Sequence, residues 1–324
     1  MDQINWGLIG CGNVTELKSG PAFNKVPNSQ LKAVMRRDGE KAADYARRHG
    51  VEQWYDNAYK MMAEAGINSV YIATPPSSHV EYTLAGLERG LNVYVEKPVT
   101  RNAAEAQQIA DAVAASGGKL TVAHYRRALP MFLYIKQLID EQAIGEIRTV
   151  QIRMWKTAQA EQIQQTENNW RVQPEISGGG YFHDLAPHQL DLMLYYFGKP
   201  VKYQGYSLNQ ANQYPADDHT CGSIIFENNV VVNGSWSFNV AKNQITDSCE
   251  IIGTKGKVSF PFFGFTVALE TDDINETKTF THPQHIQQPM IEKIVNYFGS
   301  EGPNPCSIEE AVVLMKIMDP FTGK

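Results

Sequence analysis

The sequence predicts a two-domain α/β protein. A doubly wound parallel sheet occupies residues 1–124. An α+β half with a large, mostly antiparallel open sheet occupies residues 125–324, and its terminal helices can pack back on the first half. Three observations carry this. The chain, at 324 residues, exceeds what one simple core usually holds. Short apolar runs alternate with helical patterns as far as His124, the signature of βαβ units and a parallel sheet. Beyond that point long alternating strands and tight turns take over.

In order, "INWGLIG" and "LKAVM" read as the first two strands, and "EKAADYARRHG" as a helix closed by Gly50. "SVYIATPP" is a buried strand stopped by two prolines. "HVEYTLAGLERG" is a helix ended by Gly90, "NVYVEKP" a strand, "AAEAQQIADAVAASGG" a helix and "KLTVAHY" the last strand of the half. Right-handed crossovers then wind the sheet on both faces. A helix over 129–142 opens the second half. Strands follow at "EIRTVQIRMWK", "HTCGSIIFE", "VVVNGSWSF", "SCEIIG" and "KVSF", with hairpin turns at "ENNV" (227–230) and "GTKGK" (253–257). "PMIEKIVNYFG" and "SIEEAVVLMKIMDPF" read as helices, the second opened by a Ser307/Glu310 capping box.

Composition excludes several classes. Net charge is −6 and no basic block occurs, so nucleic acid is not a predicted partner. No apolar run approaches the roughly 18 residues that span a bilayer, so no membrane association is predicted. The start of the chain lacks the basic and apolar regions of a signal peptide, and a cytoplasmic location is expected. Four scattered cysteines with no CxxC spacing read as free thiols rather than a metal cage.

"GLIGCGNVT" sets Gly10 and Gly12 directly after the first strand, followed by Asn13 and Val14. This is G-x-G-x-x-T, with Thr15 where a third glycine is usual. Such a loop allows a tight turn and a close approach of pyrophosphate to the backbone, so dinucleotide binding is predicted. Thr15 implies slightly looser helix–strand packing. The second strand ends "VMRRDG", where an acidic residue usually holds the ribose 2′-hydroxyl of NAD. Here Arg36 and Arg37 stand first and Asp38 follows. A guanidinium suits a 2′-phosphate, so NADP is favoured over NAD, with Asp38 as the NAD-type alternative.

"SGGGYFHDLAPHQLDLMLYYFG" (177–198) places Asp184, His188 and Asp191 at i, i+4 and i+7 on one helical face. Carboxylates flanking an imidazole can set its tautomer, as proton transfer at neutral pH requires. The glycine triplet before it suggests close approach of another group. His183 and His188, five apart, diverge around the helix, and no metal is predicted.

"GLIGCGNV", "ATPPSSH", "VEKPVT" and "GGGYFHDLAPHQLD" together resemble the glucose–fructose oxidoreductase, inositol dehydrogenase and rhizopine-catabolism (Gfo/Idh/MocA) family. The resemblance runs from residue 5 to about 200; Thr15 is its one departure. It implies an NAD(P)-dependent dehydrogenase or reductase of a sugar, anhydro-sugar or cyclitol. It places Lys97 beside the nicotinamide and the reacting oxygen, with Glu96 before it. His188 resembles the acid/base residue and Asp184 the residue that holds a substrate hydroxyl or relays the proton. Thr74, Pro75 and His79 are expected to border the nicotinamide ribose. A lysine at the carboxyl edge of an open α/β sheet lies where such sheets bind ligands and can polarise a carbonyl oxygen.

Tyr125, Arg126, Trp155, Trp170 and Arg171 are the predicted substrate-binding residues, since aromatic faces interleaved with hydrogen-bonding groups suit a sugar or polyol. The glutamine-rich stretch 157–177 reads as a flap or a surface loop. The wide second sheet needs a cover for one face, so a homodimer or homotetramer is predicted. Three alternatives stand beside the dehydrogenase: a redox-assisted NAD-dependent glycosidase, a non-catalytic dinucleotide-sensing regulator, and reduction of a non-sugar such as a dihydrodiol.

Overall fold

A computed structural model describes residues 3–158 and 169–324. The strands are β1 Ile4–Ile9, β2 Ser29–Met35, β3 Gln53–Tyr55, β4 Ser69–Ile72, β5 Asn92–Val95, β6 Leu120–Val122, β7 Ile147–Trp155, β8 Pro200–Leu208, β9 His219–Phe226, β10 Val231–Ser237, β11 Thr246–Gly253, β12 Gly256–Phe260, β13 Thr266–Thr271 and β14 Asn275–Thr279. The α-helices are α1 Asn13–Leu17, α2 Gly39–His49, α3 Ala58–Glu64, α4 His79–Glu88, α5 Ala103–Ser116, α6 Pro130–Asp140, α7 Pro174–Ser177, α8 Gly180–Phe197, α9 Gln288–Phe298 and α10 Ile308–Phe321. Contacts divide the chain into two compact units, Met1–Arg126 with Pro283–Val312, and Arg127–His282 with Val313–Lys324.

The first unit holds a six-stranded sheet in the order β3-β2-β1-β4-β5-β6, with every pairing parallel. Its strand order reverses between β1 and β4, the switch point at which such sheets bind dinucleotides. Strands β4 and β5 are almost wholly buried, which is why they read as continuous apolar runs. Helix starts follow their caps: Asp38 accepts from Lys41 N, Asn57 from Lys60 N and Asn102 from Glu105 N. Gly50 and Gly117 end α2 and α5 in the left-handed conformation. The short β3 and α3 went unpredicted; three strand residues are too few to show a period.

The second unit holds an eight-stranded sheet, β14-β13-β12-β11-β7-β10-β9-β8. All its pairings are antiparallel except β7 with β10. Both predicted hairpins form, β9–β10 through 227–230 and β11–β12 through Thr254 and Lys255 within the predicted 253–257. Strands β8, β13 and β14 were not predicted. Most of β8 and all of β14 are polar or exposed, so the apolar alternation that marks a strand is missing. The Ser307/Glu310 capping box closes as expected, with Ser307 N donating to Glu310 Oε2 at 2.9 Å. Among the described residues no helix is long and apolar enough to cross a membrane. The four cysteines are free thiols.

Candidate active site

In the first unit the glycine loop sits at the carboxyl end of β1. Gly10 has φ +94°, and a Cβ there would lie 2.9 Å from Thr74 Cγ2 and 3.0 Å from the Ala73 carbonyl. Only glycine fits that turn. At Gly12 a Cβ would meet nothing nearer than Gly10 O at 3.8 Å, so the space above this residue is open for a pyrophosphate. The residues present therefore fit a dinucleotide. Asn13 and Val14 begin α1, which is a single short helix of 5 residues. Thr15 corrects the reading of looser packing. It is fully buried, its Oγ1 donates to Gly12 O at 2.8 Å, and its carbonyl accepts from Tyr45 OH at 2.8 Å. The threonine locks the loop by a hydrogen bond where a glycine would have packed. Cys11 lies buried in the same loop, its thiol pushed up to about 11 by burial.

At the tip of β2, Arg36 Nη1 donates to Cys11 O at 3.3 Å, which ties this arginine to the glycine loop. Arg37 is exposed. Asp38 is occupied otherwise: it caps α2 through Lys41 N and pairs with the Lys41 ammonium at 3.2 Å. These contacts, the backbone one first, hold its carboxyl below the usual range.

Lys97 follows the end of β5, and its neighbours on both sides are fixed. Before it, Glu96 Oε1 accepts from Tyr71 OH at 2.6 Å and Gln287 Nε2 at 2.7 Å, while Oε2 accepts from Lys97 N at 3.2 Å. After it, the carbonyls of Pro98 and Val99 each lie 3.1 Å from His79 Nδ1. His79 Nε2 lies 2.8 Å from the Thr74 carbonyl. His79 is thus a staple between the Thr74–Pro75 turn and the backbone beyond Lys97, buried where a ribose contact was predicted. Burial pushes its pKa down, against the pull of its carbonyl partners. Thr74 is further held by Ser78 Oγ at 2.8 Å. Tyr125 and Arg126 follow β6 and are both buried, the guanidinium 5.5 Å from the Tyr125 ring centre.

In the second unit α8 carries the acid–base candidates. His188 is buried, and its ring meets Phe263 edge-on at 5.9 Å. Each flanking carboxylate has its own guanidinium. Asp184 Oδ2 accepts from Arg171 Nε at 3.1 Å, and Arg171 stacks on Trp170 at 4.4 Å. Asp191 accepts from Arg127 Nε at 2.9 Å and Nη2 at 2.7 Å, a buried pair. The three share a helix as the spacing predicted, but Asp191 serves as an anchor for Arg127. The glycine triplet does mark close approach, of the protein's own groups. A Cβ at Gly179 would fall 2.4 Å from His183 Nδ1, and one at Gly180 2.6 Å from Ala216 Cβ.

On β7 the buried face runs Val150, Ile152, Met154. Met154 pairs with Trp236, whose Nε1 donates to Gln189 of α8 at 2.8 Å, so this face looks toward α8. Trp155 lies on the other face, its Nε1 donating to Ser235 Oγ at 3.0 Å. The next residue on the α8 face is Lys156, 3 % exposed, where alternation calls for an apolar side chain. Burial pushes its pKa down, opposed by Asp247. Asp247 in turn accepts from the amides of Phe262 and Phe263, and the Phe263 ring meets His188, so Asp247, Phe263 and His188 are linked in series. Lys156 was not among the predicted residues; the period-2 stripe ending in a lysine was the signal. Of the predicted flap or surface loop, 157–177, residues 159–168 lie outside the described residues, while Trp170–Val172 and Pro174–Ser177 form short helical turns.

Comparison with known proteins agrees with both units. The NAD-binding Rossmann-fold model of the oxidoreductase family matches residues 4–124, and the GFO/IDH/MocA C-terminal domain matches residues 132–259. Oxidoreductase P35 of Formosa agariphila is 48% identical over 321 residues, 99% of each chain. The levoglucosan dehydrogenase of Pseudarthrobacter phenanthrenivorans is 30% identical over 210 residues, 61% of this chain and 52% of its own length. A solved levoglucosan dehydrogenase in complex with NADH shares the fold, with a TM-score of 0.86 at 24% identity over 99% of this chain and 96% of that one. With both family domains matched in order along it, this chain belongs to the GFO/IDH/MocA family of NAD(P)-binding oxidoreductases.

Proposed function

We propose that this oxidoreductase interconverts a secondary alcohol and a ketone on a sugar, anhydro-sugar or cyclitol, with NADP(H) preferred over NAD(H). The observation that carries the reading is Lys97, braced by Glu96 and by the His79 staple, in the same sheet as the open glycine loop. A bound nicotinamide supplies the redox chemistry. The chain's own groups supply position and proton handling. Lys97 donates a hydrogen bond to the substrate oxygen that carries negative charge as its carbon is oxidised. His188 takes the hydroxyl proton in oxidation and returns it in reduction. Asp184, steadied by Arg171, holds a neighbouring hydroxyl or relays that proton. Arg171 and Trp170 stack beside Asp184 and bind the sugar with it.

Cofactor preference rests on the tip of β2. Arg36 is fixed against the glycine loop, Arg37 is exposed, and Asp38 is spent as a helix cap. A homodimer or homotetramer is supported by the outer face of the second sheet, where Tyr206 is 71% and Leu208 59% exposed. Light scattering that returned only a 36.3 kDa particle would remove the oligomer. A cytoplasmic location is part of the same proposal. The test of function is a panel of sugars, anhydro-sugars and inositols assayed with each cofactor by reduced-nicotinamide absorbance. Turnover of at least one member with net cofactor conversion is expected. Cleavage of glycosides without net conversion would instead establish the redox-assisted glycosidase.

A further inference from the structure

We propose that Gln287 is a positioning residue for Lys97, acting through the Glu96 carboxylate. Gln287 belongs to none of the motifs and lies 191 residues from Glu96 in sequence, in the same unit. It is 1 % exposed. Its Nε2 donates to Glu96 Oε1 at 2.7 Å, and its own Oε1 accepts from Tyr94 OH at 3.0 Å. Tyr71 OH donates to the same Glu96 oxygen at 2.6 Å. The other Glu96 oxygen accepts the Lys97 amide at 3.2 Å. One oxygen is therefore pinned by two buried side chains, and the other holds the backbone of the reacting lysine.

A buried carboxylate is costly unless its oxygens are satisfied. Removing the Gln287 amide leaves Glu96 one donor short, so the carboxylate shifts toward what remains and carries the Lys97 backbone with it. The same segment is also tied to the end of α1, the helix that follows the glycine loop. Gln287 N donates to Lys18 O at 3.1 Å, and His285 Nδ1 lies 2.8 Å from Leu17 O. The stretch from His285 to Gln287 thus spans from the end of α1 to the residue before Lys97, fixing both relative to one short strap. A catalytic group must be held to about half an ångström, so a strap of this kind governs rate more than binding.

This rests on the reading of Lys97 as the group that contacts the substrate oxygen, and the test separates the two. Four variants are assayed: Q287A, Q287E, the exchange E96Q/Q287E, and K97A. Q287A is expected to lower kcat roughly ten- to a hundredfold, the scale of a misplaced reacting group, with cofactor KM within about twofold of wild type. Q287E sets two carboxylates against each other and should be worse. The exchange restores one amide facing one carboxylate and should recover at least about tenfold over Q287E. A Q287A enzyme that melts earlier but keeps its kcat overturns the inference, since a merely structural amide would behave so. Equal impairment of Q287E and of the exchange also overturns it. K97A with full turnover overturns this inference and the reading beneath it; inactive K97A with normal Q287A overturns this inference alone.

Discussion

The two units hold their chemistry by different means. In the first, the candidate groups sit at the carboxyl ends of parallel strands and are fixed largely through backbone atoms: Gly10 by its turn, His79 by three carbonyls, Lys97 by the Glu96 carboxylate on its amide. In the second they stand on one buried helix, α8, and are fixed by side-chain ion pairs to distant residues, Asp184 by Arg171 and Asp191 by Arg127. Backbone-held sites are written as short contiguous motifs. Side-chain-held sites are spread through the sequence, and each partner is costly to lose alone.

The largest effect tests whether both units carry the reaction. K97A and H188A should each lower kcat by about 10²–10⁴-fold, the range for losing an acid/base or oxyanion partner. Cofactor affinity should change little in H188A. Near-normal rates in H188A would leave the chemistry wholly in the first unit. Next comes R127A, which strands Asp191 in the core. Breaking a buried pair from one side costs about 3–5 kcal/mol, read as a fall in the urea midpoint. R127M/D191M should recover most of that loss, because the pair is an anchor and both charges leave together. If the double variant stays as unstable as R127A, the pair does more than hold α8.

The same contrast explains what the sequence could reveal. Alternating strands and helices, the glycine loop, E-K-P and the capping box depend on neighbours within a few residues, so they were legible, whereas β3, β8, β13 and β14 were not. The partner of Asp191 is 64 residues away, and that of Glu96 is 191 away. No local period encodes either distance. Lys156 is legible in principle, as the charged end of an apolar stripe, but the neighbouring Trp155 is the stronger aromatic signal and faces the other side of the sheet. Thr15 misled because the glycine it replaces packs by absence, whereas threonine packs by a hydrogen bond to Gly12.

A smaller effect probes the first unit at its surface. R36A/R37A should abolish a preference for NADP(H) of roughly ten- to a hundredfold, mainly by weakening NADP(H), since charge-assisted contacts contribute about 1.5–3 kcal/mol. Titration by nucleotide fluorescence measures both affinities. The preference should shrink in high salt because Arg37 is exposed. Equal affinities in the wild type would mean that Asp38 leaves its cap on α2 to serve the ribose.

The smallest effect sets one buried histidine in each unit against the other. His183, packed on Gly179, has its pKa pushed down to about 3, by burial first and by the Lys324 ammonium second. Unfolded, it would titrate near 6.5. Between those values the unfolded chain binds a proton that the folded chain refuses. Its contribution to stability is therefore complete above about pH 6.5 and is lost as pH falls toward about 3. The slope is at most about 1.4 kcal/mol per pH unit for one proton. His79 is also held low by burial, but its three carbonyl contacts pull upward, so its slope should be shallower and confined to a narrower window below the unfolded value. Urea midpoints for wild type, H183L and H79L across this acidic range test the pair. The gap between wild type and H183L should change with pH, in the acid-sensitive direction for wild type, more than the gap for H79L. A pH-independent gap at His183 would show that its ring takes up a proton in the folded state, and that packing on Gly179 does not exclude charge.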